Sequence, residues 1–150
     1  MIAINSGSST VVGAFIGDTG FVGGGDDAPN QPITIPAAIA SIAAPAAVYA
    51  DARQGGVTYT IPNLSAVRTY TVVLHFAELF FTTANSRQFN VSINGTQVLT
   101  NFDIFAAAGN QNFTAVVQSF GKIAPVNGQI VIAFTNGAHD QPMVNGIEIQ

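Results

Sequence analysis

The chain has 150 residues and a net charge of −4, with only 8% charged residues and just four Lys and Arg. So few cations exclude the phosphate neutralisation that nucleic-acid binding requires, and attraction to an anionic membrane surface. The absence of Cys excludes a disulfide framework and thiol chemistry. The length suits one domain, residues 1–150, with enough chain for a real core. Asn, Gln, Ser, Thr and Gly stand in for the missing charge. Such a neutral, hydrogen-bonding surface suits an extracellular β-protein and a partner rich in hydroxyls.

In chain order the dominant period is two. "AINSG" and "TVVGAFI" read as short strands, followed by a glycine-rich loop that carries Phe21, Asp26 and Asp27. Asp18, Asp26 and Asp27 offer the acids of a calcium site, since calcium takes several loop oxygens. No ordered loop pattern surrounds them, and no metal or cofactor is expected. "AAIASIAA", boxed by Pro36 and Pro45, is the one helix-like run and reads as a short turn. "AVYADAR" and "GVTYTI" are further short strands.

In "TYTVVLHFAE", Tyr70, Val72, Leu74 and Phe76 share one face, and Glu78 continues that inward phase. His75 lies on the less apolar face, as a surface or second-layer residue. A buried acid needs a partner. Phe80 and Phe81 end the run. In an extended chain only one of two neighbours can face inward, so Phe81, out of phase with Leu74 and Phe76, is expected to be the more exposed ring.

Phe89, Val91 and Ile93 alternate up to Asn94-Gly95, a strong two-residue hairpin signal because both residues tolerate positive φ. Asp103 reads as a turn or bulge residue. "FTAVVQSF", "GQIVIAFT" and "GIEIQ" complete nine to ten short strands, the pattern of an all-β antiparallel sandwich, in particular a jelly roll. His139 and Asp140 fall in a Pro-containing loop before the last strand. Four Asn-x-Ser/Thr triplets are explained by composition, and one lies inside a strand. No apolar run reaches membrane-spanning length. Met1 leads into the first strand without a basic n-region or cleavage site, so an exported protein would carry its signal upstream of this sequence.

The segment "YTVVLHFAELFFTTANSRQFNVSINGTQVLTNFDIF" resembles the malectin and malectin-like carbohydrate-binding modules. The resemblance rests on Phe76-Ala77-Glu78, the pair Phe80-Phe81, Phe89, Val91, Ile93, Asn94 and Gly95, and then Asp103-Ile104. The closing residues Asp140, Pro142, Val144, Asn145 and Ile147 and the opening "INSG" and "DTGFVGG" extend it over essentially the whole chain. It implies a galactose-binding-like jelly roll that recognises a di- or oligosaccharide through loop aromatics and an acid. Those positions are Phe21, Phe80, Phe81 and Asp140, with His139 beside them and Arg53, Glu78 and Gln54 in support; the family pattern places Arg53 near the matching loop and so implies it as the partner of Glu78. Phe21 stands where the family usually has Tyr, and Gln54 where a further Tyr falls. The aromatics here therefore stack more and hydrogen-bond less.

The chemistry fits independently. A sugar ring has an apolar C–H face for aromatic side chains and a polar rim for carboxylates, amides and imidazoles. Each residue also has a plain structural role open to it. Phe80 and Phe81 could be a bulged strand end, Phe21 a core plug, and Asp140 a turn residue bonded to its own backbone. The chain is thus expected to be a non-catalytic module that binds oligosaccharide or polysaccharide, within a larger secreted or cell-surface protein. The alternative is a structural or adhesive sandwich with a degenerate sugar site. A glycosidase would need two convergent carboxyls. Glu78 and Asp140 are the only plausible pair, and Glu78 is expected to be committed to an arginine.

Overall fold

The computed structural model describes residues 1–150. Eleven strands run through it: β1 (Ile2–Asn5), β2 (Ile16–Gly17), β3 (Phe21–Asp27), β4 (Ala52–Ile61), β5 (Tyr70–Phe76), β6 (Gln88–Ile93), β7 (Thr96–Phe102), β8 (Val116–Ile123), β9 (Ile130–His139), β10 (Met143–Val144) and β11 (Gly146–Ile149). A single-turn helix, α1 (Ile104–Ala107), follows β7, and two 3₁₀ turns cover Ala37–Ile39 and Ala46–Ala50. One sheet has the order β2-β1-β11-β5-β8, and the second runs β4-β9-β6-β7 with β3 and β10 added at β4. All pairings are antiparallel except β1–β2. The two sheets stack as the expected jelly-roll sandwich.

The period-two residues form its core. Val72, Leu74 and Phe76 of β5, Phe89 and Val91 of β6, and Ile130, Ile132 and Phe134 of β9 are all essentially inaccessible. Asn94 and Gly95 have φ values of 49° and 81° and form the two-residue turn of the β6–β7 hairpin.

Three segments depart from the sequence reading. "FVGGGDD" is a strand rather than a loop: β3 pairs with β4, and Gly23 and Gly24 adopt positive φ at a register shift between Gly23 and Gly25. Most of "TVVGAFI" turns back on itself through the Val12–Phe15 bridge, and only Ile16 enters β2. "AVYAD" coils as a 3₁₀ turn before β4 begins at Ala52. Val48 and Tyr49 of that turn are buried against the outer face of the five-stranded sheet, where Tyr49 meets His75. This packing overrides their β propensity.

The arrangement of β4 shapes one end of the sandwich. β3 lies along one edge. Along the other, β9 pairs with Val57–Ile61, and β10 with Arg53 and Gln54. β9 therefore peels away at Gly55-Gly56 and returns as β10. The loop between them, residues 140–142, is anchored where Gly55 N–H donates to the carbonyl of Pro142 at 2.9 Å.

Candidate functional site

The loop after β5 meets the loop after β9 at this end. β5 stops at Phe76, and Ala77 N–H donates to Asn145 Oδ1 at 2.7 Å. Glu78 then turns inward and is fully buried. Its Oε1 accepts the backbone N–H groups of Phe80 (3.0 Å) and Phe81 (3.2 Å), which folds the chain over the carboxylate. Extended geometry is lost there, and strand alternation no longer assigns the faces. Leu79 enters the core, Phe80 is 44% exposed, and Phe81 is half-buried. The expectation that Phe81 is the more exposed ring is thus reversed, and neither ring closes the core.

The partner of Glu78 is Arg87, not Arg53. Arg87 Nε donates to Glu78 Oε2 at 2.7 Å and Nη2 to Oε1 at 3.4 Å, with both side chains buried. Its Nη1 donates to the carbonyl of Gln141 at 2.6 Å. The guanidinium carbon also lies 5.1 Å from the centroid of the Phe81 ring, within cation–π range. One arginine thereby ties the aromatic loop to the 140–142 loop. The signal for it was the position of Arg87 itself, closing the loop that Glu78 opens.

Arg53 belongs to a separate cluster. Its Nε donates to Asp18 Oδ2 at 2.6 Å, and its Nη2 pairs with Asp26 at 2.5 Å. Asp18 also accepts Tyr59 O–H (3.0 Å) and Gly7 N–H (2.6 Å). Burial opposes the charge of Arg53, but the hydrogen bond and field of Asp18 outweigh it and hold the guanidinium above its ordinary pKa. Asp18 and Asp26, candidate calcium ligands by sequence, both bind this arginine, and no group of three or more His, Asp or Glu converges in the fold. Phe21 pairs with Tyr59, well down β4, and its ring covers the Arg53 guanidinium at 3.5 Å. Its ring contacts are with Tyr59 and Arg53 rather than with Phe80 or Phe81.

The remaining predicted residues do gather. His139 is exposed and pairs with Gln88, next to Arg87. Asp140 is exposed with φ of 55°, and its Oδ1 accepts Gln141 N–H at 2.6 Å. It therefore sits in a backbone-bonded turn, and its second carboxylate oxygen has no protein partner. Gln54 pairs with Met143 just beyond the same loop, and its side-chain oxygen is buried without a donor. Asp103 caps α1 through Ala106 N–H at 3.0 Å, and its other oxygen accepts Asn85 N–H at 2.5 Å, bracing the loop after Phe81. His75, expected near the surface, is fully buried because the 3₁₀ turn at 46–50 covers it.

The result is an open end of a β-sandwich with one exposed ring, one half-buried ring over an arginine, and a free carboxylate edge. None of the grooves in the molecule lies there, so the surface is shallow. These residues lie on loops held by a rigid sandwich, the kind of place where binding residues concentrate. The malectin-domain model matches residues 1–147, and the chain belongs to the malectin family of carbohydrate-binding domains.

Human malectin is 28% identical over 90 residues, covering 53% of this chain and 31% of that protein. Zebrafish (Danio rerio) malectin is 26% identical over 85 residues, covering 50% and 30%. A probable receptor-like protein kinase of Arabidopsis thaliana is 33% identical over 84 residues, 53% of this chain and 10% of that protein. The chain thus spans about a third of the length of the malectins it matches. Among solved structures, the complex of plant peptide RALF23 with FER and LLG2 superposes with a TM-score of 0.86 at 20% identity, over 99% of this chain and 48% of that one. The extracellular domain of ANXUR1 from Arabidopsis thaliana gives 0.85, also at 20% identity, over 99% and 47%. At such identities these two share the fold.

Proposed function

We propose that the chain is a non-catalytic module that binds a neutral di- or oligosaccharide at the loop end, with Phe80 as the stacking surface and Asp140 as the hydroxyl acceptor. The exposure of Phe80 carries this reading. The ring is held out of the core where the chain folds over a buried carboxylate, beside a second half-buried ring and the open edge of Asp140, so an apolar face and a polar acceptor lie together as a sugar needs. The half-buried Phe81 and His139 flank it. Gln54 supports the 140–142 loop, and Phe21 and Arg53 brace β3 against β4. A structural sandwich with a degenerate sugar site would be expected to tuck both rings away.

Catalysis is a poor fit. A glycosidase needs two carboxyls about 5 Å or about 6.5–9.5 Å apart with access to substrate, and Glu78 is sealed in its pair with Arg87. The neutral surface composition and the ectodomain relatives favour an extracellular or cell-surface setting within a larger protein. A shallow, wet site of this kind gives affinities on the order of micromolar to millimolar. Screening the domain on a glycan array tests the reading. Saturable binding to a set of neutral glycans supports it, and a blank array repeated at millimolar glycan by NMR overturns it.

A further inference from the structure

The outer face of the five-stranded sheet carries a groove of about 410 Å³ that shares no residue with the loop site. The segment between β3 and β4 crosses this face and covers His75. Beside Ser41, Ile42 and Ala43 it leaves a groove floored by Val73, Val117, Ser119 and Glu148. The volume is that of a small-molecule site.

Glu148 is the only charged residue in the groove, and it is 8% exposed. Its Oε1 is 2.8 Å from His75 Nε2, and its Oε2 accepts Gln150 Nε2–H at 2.8 Å. Tyr49 Oη lies 2.8 Å from His75 Nδ1 and accepts Ala44 N–H at 3.2 Å. Burial favours neutral His75, with Tyr49 O–H donating to Nδ1 and Nε2–H donating to Glu148. Every donor to this carboxylate is then neutral. Arg53 and Arg87 are engaged elsewhere, and neither Arg68 nor Lys122 lines the groove. A largely buried carboxylate without a cation is unfavourable, and its remaining access opens into a groove that pairs polar Ser41, Ser119 and Gln150 with apolar Ile42, Val73 and Val117.

We propose that this groove binds a small primary ammonium on a compact saturated body, its nitrogen on Glu148 and its carbon skeleton against Ile42, Val73 and Val117. Ser41 and Ser119 supply hydroxyls. A single carboxylate offers too few ligands for a divalent ion, and Ile42, Ala43, Val73 and Val117 give a carbon framework the apolar contact that a hydrated inorganic cation does not use.

The test is an NMR titration of the whole chain with cyclohexylammonium and glucosamine chlorides, against cyclohexanol and glucose at matched ionic strength. Saturable methyl shifts at Val73 and Val117 are expected with the ammonium probes, with millimolar dissociation constants. The neutral analogues should bind this groove at least about tenfold more weakly, and the resonances of Phe80 and Asp140 should not move with cyclohexylammonium, which carries no sugar ring. Glu148→Gln should remove the preference for charge. Ser119→Lys, at an exposed position on β8, should compete from within and weaken binding by at least about tenfold, and it carries the test should Glu148→Gln fail to fold. Equal shifts with the neutral analogues, no saturation by about 50 mM probe, or unchanged binding in Ser119→Lys would each overturn the proposal.

Discussion

Arg87 makes the loop end a single unit. It bonds Glu78, receives the ring of Phe81 and holds the Gln141 carbonyl, all from a buried position. Replacing it with Met leaves Glu78 buried without a counter-charge, and such truncations cost about 3–5 kcal/mol. Urea unfolding should show that loss for Arg87→Met and a smaller one for the double variant with Glu78→Gln. A cost confined to Arg87→Met with full sugar binding retained would separate the pair from the site. His75 makes a second residue-scale prediction. Burial lowers its pKa from the ordinary 6.5, and the field and hydrogen bond of Glu148 oppose this without cancelling it. The unfolded chain then takes up a proton near pH 6.5 that the folded chain refuses, so stability is full above that pH and declines as pH falls below it. Thermal midpoints between pH 7.5 and 5 should fall more for the parent than for His75→Gln.

At the scale of elements, two glycines answer to different physics. Gly95 sits at φ 81° with open space around it, so Gly95→Ala should cost only the backbone strain of the β6–β7 turn, about 1 kcal/mol. A Cβ at Gly7, also at φ 81°, would overlap the carbonyl of Ala52 where the first loop packs on β4. Gly7→Ala should therefore shift the urea midpoint far more, and equal effects would show that this loop yields easily. The Asn-Gly turn was legible in the sequence because its chemistry is local, as was the core alternation of β5, β6 and β9. Strand β3 was not, because three successive glycines carry no periodic signal and its pairing depends on a bulge. The Glu78 partner was missed for the same kind of reason. Two arginines could serve, and only the tertiary course of β3 and the first loop commits Arg53 to Asp18 and Asp26. The exposed face of Phe80 was hidden because alternation stops applying where the chain folds over Glu78.

Across the whole molecule the charge is polarised. Asp26, Asp27, Asp51, Asp103 and Asp140 gather toward the loop end, while Arg68 and Lys122 are exposed toward the other. An anionic glycan approaching the loop end meets more negative than positive charge. Uronate-containing oligosaccharides should thus bind more weakly than neutral ones of the same length, with the gap narrowing as salt rises. Equal binding of the two classes on an array at low salt would contradict this.

The most direct measurement is calorimetric titration of Phe80→Ala with a neutral oligosaccharide that the parent binds, alongside the urea midpoint of the same variant. The exposed ring makes little contribution to the fold, so its stability should stay within about 0.5 kcal/mol of the parent. Binding should fall below detection, and Asp140→Ala should behave alike. A folded Phe80→Ala that binds with the parent's affinity would contradict the account and place the sugar elsewhere on the sandwich.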